Sequence, residues 1–266
     1  MHRLLRELLV VADRFDTAAP GDGRLAPVRE QAVLLDKPTD PETPGAFDPQ
    51  SVSGRLAEVR ERIRARGADP DEIRIVAVTK GFGSDAVGAA VAAGAPDVGE
   101  NYGQELLAKA GAAPPGARWH FLGKVQRNKV RRLAPVVSVW HGVDRPAAAD
   151  AIASASPGAT VFVEVNVAGA AGRPGCSPGE LDGLVEHCRG LPLDTAGLMT
   201  VAPAGDAEAA RQCFRWLAGE ARRLGLRELS MGMSDDFEVA VDEGATTLRL
   251  GRVLFGPRPG RVAVQR

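Results

Sequence analysis

Ile73-Arg74-Ile75-Val76-Ala77-Val78-Thr79-Lys80 is a short, almost wholly apolar run that ends on a single amine. Five to eight apolar, β-branched residues bounded by polar ones read as a strand buried on both faces, as in a parallel sheet. The same pattern recurs downstream. Strand candidates lie at 73–79, 96–99, 118–122, 136–140, 160–166, 193–198, 228–230 and 246–250. Amphipathic stretches fill the gaps, with helices expected at 84–94, 101–110, 125–133, 145–155, 177–189, 205–225 and 234–242. Upstream, Leu56, Val59 and Ile63 form a further helical stripe that Gly67 ends. A helix in every gap forces parallel strands, and eight such units close a ring. The expected fold is α/β: a single-domain (β/α)8 TIM barrel. A doubly wound open sheet is the competitor, but no G-x-G-x-x-G follows the first strand.

The barrel is expected over residues 51–260, with a flexible leader over 1–50 and a short tail over 261–266. Lys37-Pro38-Thr39-Asp40-Pro41-Glu42-Thr43-Pro44-Gly45 can neither hold a helix nor pair as a strand. The first dozen residues read as a weak amphipathic helix, too short and too charged to span a bilayer or to act as a signal peptide. Net charge is −1 and aromatic content is 5%. Neither a basic field nor a base-stacking surface points to nucleic acid, and no segment points to a membrane. Cys176, Cys188 and Cys213 stand 12 and 25 residues apart, which fits no metal knuckle or disulfide framework. Their number and the missing signal suit a reducing, cytoplasmic setting. No H-x-x-x-H or carboxylate cluster suggests a metal.

Active sites of such barrels lie at the C-terminal ends of the strands. Lys80 stands there after the first strand, Asn101 after the second, Met199 after the sixth. Flanking apolar residues desolvate the Lys80 amine and favour its neutral, nucleophilic form; the alternative is a lysine that merely reaches out of the strand end. The loops after strands seven and eight, which often bind phosphate in barrels, carry Gly232, Ser234, Gly251 and Arg252. Ser234 stands where the helix 235–241 would begin, so a plain N-cap is its alternative role. Arg249 lies inside an apolar strand and needs a partner: a ring nitrogen, or a salt bridge with Glu100. His120, between Trp119 and Phe121, reads as a hydrogen-bonded core histidine. The run 124–132 reads as a solvated basic helix face, with an anionic partner as the alternative. A nucleophilic amine beside a phosphate cradle, without metal ligands, points to pyridoxal 5'-phosphate (PLP) held as a Schiff base.

Six motifs then appear in series. Ile75-Val76-Ala77-Val78-Thr79-Lys80 is followed by Gly99-Glu100-Asn101-Tyr102-Gly103-Gln104-Glu105 and by Trp119-His120-Phe121-Leu122-Gly123. Gly197-Leu198-Met199-Thr200, Leu229-Ser230-Met231-Gly232-Met233-Ser234 and Leu248-Arg249-Leu250-Gly251 complete the set. From about residue 52 to 258 the chain resembles the YggS/PROSC family of PLP homeostasis proteins, which are similar to the N-terminal barrel of alanine racemase. The resemblance implies Lys80 as the imine-forming residue, Ser234 and the Gly251 backbone as phosphate ligands, and Arg249 opposite the ring nitrogen. It implies a protein that binds, buffers or delivers PLP, with PLP-dependent apoenzymes as possible recipients. Departures are Arg252, where the family usually has Ser or Thr, Lys124 for a common His, and Arg127 for a common Ser. Gly81-Phe82-Gly83 is an unusual sequel to the lysine, and Arg173-Pro174-Gly175-Cys176 departs from the usual loop.

The rival reading is a PLP-dependent racemase. Racemisation needs a base on each face of the substrate. Alanine racemases take the second, a tyrosine, from an added C-terminal domain that this sequence is not expected to carry, and the one tyrosine here, Tyr102, reads as packing at a helix start. The expectation is therefore a monomeric carrier with no catalytic residues.

Overall fold

The computed structural model describes residues 47–258. Helix α1 (Pro49–Ala65) precedes eight strands: β1 (Arg74–Val78), β2 (Asp97–Glu100), β3 (Arg118–Phe121), β4 (Val137–Val143), β5 (Thr160–Glu164), β6 (Asp194–Met199), β7 (Glu228–Ser230) and β8 (Thr247–Leu250). Between them run α2 (Ser84–Ala92), α3 (Gly103–Ala110), α4 (Arg127–Leu133), α5 (Pro146–Ala155), α6 (Leu181–Arg189), α7 (Ala207–Arg223) and α8 (Phe237–Asp242). A single turn, α9 (Arg252–Phe255), follows the last strand. Each strand pairs in parallel with the next, and β8 returns to β1, closing the ring. This is the expected TIM barrel.

The helices follow their apolar periodicity. Val52, Leu56, Val59 and Ile63 bury one face of α1. Ala210, Phe214, Leu217 and Ala221 do the same for α7. Asp48 caps α1, accepting from the Gln50 and Ser51 amides, and Pro49 takes the first turn, where its missing N–H is harmless. Regular structure thus begins inside the region expected as leader. The rest of that leader lies outside the described residues, as do the helix expected in its first dozen residues and the tail. Because α9 is one turn only, α1 supplies the outer layer beside β8, packing on α2, α8 and α9.

The lumen is not the stacked aliphatic layers usual in such barrels. Val139, Phe162 and Met199 form a small apolar cluster inside it. Much of the rest is polar, with His120, His141, Glu164, Ser230 and Arg249 all buried. Cys176, Cys188 and Cys213 are buried and unpaired. Burial pushes the Cys176 thiol up to about 12 and Cys188 to about 11, which leaves them packing groups. Among the described residues no helix is long and apolar enough to cross a membrane, and no cluster could hold a metal ion.

Candidate functional site

Lys80 lies two residues beyond β1 in a turn held from four directions. The Thr79 amide donates to the Gly99 carbonyl at 3.0 Å, and the Phe82 amide donates back to Thr79 O at 3.0 Å. Lys109 Nζ reaches the same carbonyl at 2.8 Å, and Glu105 Oε2 accepts from the Gly81 amide at 3.1 Å. Phe82, odd in the sequence, is 7% exposed and packs edge-on against Phe47 at 5.3 Å and near Phe255 of α9 at 5.4 Å. It pins the lysine turn to the helix that follows β8. Burial lowers the Lys80 amine below its usual value of 10.5, and the nearby guanidinium groups of Arg258 and Arg249 lower it further.

The amine opens into a cavity of about 300 Å³ at the C-terminal mouth of the barrel, lined also by Asn101, Met199, Ser234, Arg249 and Gly251. Arg252 lines it too, as do Asp235 and Arg258. Seven of the eight residues picked from the sequence therefore share one cavity. Gly232 does not line it. Its φ of +89° turns the chain out of β7, and a Cβ there would meet Ala240 Cβ at 2.6 Å. It shapes the loop that carries Ser234.

Ser234 is not the N-cap of α8, which starts three residues later with Asp236 in the capping position. The Asp236 carboxylate instead accepts from the Met233 amide at 2.5 Å and closes the turn. The Ser234 hydroxyl accepts from the Val253 amide at 3.2 Å, joining the loop after β7 to the loop after β8. No backbone carbonyl among the described residues accepts from the amides of Gly251 and Arg252. Two free amides, a hydroxyl and nearby guanidinium groups make an anion cradle.

Arg249 is 5% exposed. Its Nη1 donates to Ser230 Oγ at 2.7 Å and its Nη2 to Thr200 O at 2.8 Å. Burial lowers its pKa to about 10, so it stays cationic at neutral pH. The alternative pairing with Glu100 is not formed. Glu100 is bound by Lys109 at 2.5 Å and Thr79 Oγ1 at 2.8 Å. His120 is the buried, hydrogen-bonded histidine expected. His141, one residue past the fourth strand candidate at 136–140, lies inside β4 and faces the lumen. Tyr102 stands at the N-cap of α3 and is 59% exposed, against the packing expected of it. Arg252 pairs with Asp235 at the rim. Arg258, missed in the sequence, was signalled only by a charge shortly after Phe255-Gly256. A larger groove of about 590 Å³ lies outside, between α4 and α5, lined by Arg127, Arg131 and Arg145; no lysine and no part of the cradle line it.

Residues 53–259 match the family model of the alanine racemase N-terminal domain. The PLP homeostasis protein of Pseudomonas aeruginosa is 40% identical over 218 residues, covering 79% of this chain and 95% of the relative. That of Deinococcus radiodurans is 41% identical over 209 residues, covering 77% and 99%. The chain belongs to the PLP homeostasis protein family. Another solved relative, PipY of Synechococcus elongatus with PLP bound, superposes with a TM-score of 0.67 at 32% identity, covering 77% of this chain and all of that one. Alanine racemase from Corynebacterium glutamicum, at 16% identity and a TM-score of 0.64, shares the barrel fold and covers 83% of this chain but only 63% of its own. Of the departures read in the sequence, Arg252 lines the mouth cavity and Phe82 packs behind the lysine turn.

Proposed function

We propose that this chain binds PLP at the barrel mouth and holds it for vitamin B6 homeostasis in the cytoplasm, as a monomer, without catalytic turnover. The carrying observation is the sharing of one cavity by the desolvated Lys80 amine and the Ser234–Gly251–Arg252 cradle. The residues fit the cofactor. The two amides without acceptors and the Ser234 hydroxyl suit a phosphate, and the cavity is of the size of a small aromatic ring with its tail. Bound PLP supplies an aldehyde carbon open to attack by an amine. Lys80 provides that amine, neutral in a larger fraction than a surface lysine. Arg249 presents a permanent donor, which keeps a facing ring nitrogen unprotonated and weakens the cofactor as an electron sink.

The carrier reading is favoured over the racemase reading by the family membership and by the lining of the cavity. Among the described lining residues, Lys80 and the Arg252-paired Asp235 are the groups able to take up a proton. Tyr102 points to solvent elsewhere. PLP-dependent apoenzymes are the recipients this reading implies. Incubating the loaded protein with L- and D-alanine and following chirality tests it. No conversion is expected, and turnover at ordinary enzyme rates contradicts it. Loss of the visible absorption band of the loaded protein in Lys80→Ala is the companion result.

A further inference from the structure

Four hydrogen bonds cross the lumen in one unbroken line. Asp97 Oδ1 meets His120 Nε2 at 2.7 Å, and His120 Nδ1 meets His141 Nε2 at 2.9 Å. His141 Nδ1 meets Ser230 Oγ at 2.9 Å, and Ser230 Oγ meets Arg249 Nη1 at 2.7 Å. The line starts at the N-terminal end of the barrel, where Asp97 opens β2 and is clamped by Arg118 at 2.7 Å. It ends at the cavity. Five strands contribute one member each: β2, β3, β4, β7 and β8.

The protons in this line have one possible order. A guanidinium only donates, so Ser230 Oγ accepts from Arg249. Burial pushes Asp97 up, but hydrogen bonds from His120 and Arg118 bring it below the usual carboxylate value, so it is an acceptor. Burial lowers both histidines, His141 well below 6.5, so each ring has one donor and one acceptor. His120 must then donate from Nε2 to Asp97 and accept at Nδ1. His141 must donate from Nε2 and accept the Ser230 proton at Nδ1. Every donor meets an acceptor, and both rings are Nε2–H tautomers. Phe162 stacks on His141 at 4.6 Å and 14°, which fixes the ring plane.

We propose that Asp97, His120, His141 and Ser230 are positioning residues for Arg249, holding its guanidinium in one orientation at the floor of the cavity. Apolar side chains would fill a barrel lumen at lower desolvation cost, so a polar line there needs a reason beyond stability. Its terminus supplies one. Ser230 and Thr200 O hold two separate nitrogens of the same guanidinium, which removes its rotation and aims the remaining N–H groups at the cavity. The proposal rests on the reading that Arg249 faces the ring of bound PLP.

The test uses 15N NMR on the full chain loaded with ring-15N PLP, together with PLP dissociation constants. Arg249→Gln is the control and should move the ring-nitrogen resonance. Ser230→Ala removes one oxygen and should move the same resonance and weaken PLP about tenfold, as outer partners of a binding group do. His141→Gln keeps an acceptor and a donor in the right order and should leave both readouts near the parent's. The histidine resonances should report Nε2–H at both rings. Two results overturn the proposal: an Nδ1–H tautomer at either ring, or Ser230→Ala changing only the melting temperature. An Arg249→Gln control that leaves the ring resonance in place fails earlier: it removes the reading that Arg249 faces the ring, and the proposal with it.

Discussion

The amine of Lys109 lies 2.8 Å from the carbonyl oxygen of Thr79, the residue immediately before Lys80. Lys109 is 7% exposed and also binds the buried Glu100 carboxylate at 2.5 Å. The lysine turn is therefore anchored by a buried ion pair on the neighbouring β2–α3 unit. Lys109→Met leaves Glu100 without its counter-ion, and breaking such a pair costs about 3–5 kcal/mol. Urea unfolding should show that loss. Adding Glu100→Gln should recover most of it, because both charges are then gone; no recovery would place the stabilisation elsewhere.

On the proposed reading, Ser234→Ala would remove a charge-assisted hydrogen bond to the phosphate, worth about 1.5–3 kcal/mol. The PLP dissociation constant, read by fluorescence or absorbance titration, should rise about tenfold to a hundredfold. An unchanged constant would move the phosphate off the β7 loop.

The rate at which PLP joins the protein should rise with pH as Lys80 loses its proton. Burial first, then Arg258 and Arg249, hold that amine below 10.5, so the plateau should come at lower pH than for a free lysine. Arg258→Ala removes one repelling cation and should shift the plateau upward. Stopped-flow rates across pH check the sign; a downward shift contradicts it.

Glu164 is 3% exposed, and its Oε2 has no partner. Burial raises its carboxyl from 4.5 to about 7, against the pull of Arg249 and Lys124 and with help from Asp144. A group with a raised native pKa is stabilising below the unfolded value and loses that contribution as pH climbs through the folded one. Between about pH 5 and 8 the parent should lose stability relative to Glu164→Gln, by about 3 kcal/mol as an order of magnitude. Parallel stability curves for the two would show that the group does not titrate there.

The barrel was legible because strands such as β1 and β5 are buried on both faces and so read as nearly unbroken apolar runs, with amphipathic stretches in the gaps. Polar residues inside the lumen blurred the edges. His141 looked like the exit from the fourth strand, yet β4 continues to Val143 because the imidazole finds partners inside. Cavity residues were legible by their place at strand ends. Their partners were not, since pairing depends on distances that spacing does not give. Arg249 is bound by Ser230 and Thr200, while Glu100 is taken by Lys109, nine residues along the chain. The alternative role of Ser234, capping the helix after it, is not formed; its hydroxyl accepts from the amide of Val253 instead. Arg258 carried no motif and showed itself only through the fold.

The most direct test traps the covalent link. The protein is saturated with PLP, reduced with borohydride, digested and mapped by mass spectrometry. A phosphopyridoxyl group is predicted on the peptide carrying Lys80, and no label in Lys80→Ala. A label on another lysine of the native chain, or none at all, would contradict a cofactor held at the end of β1.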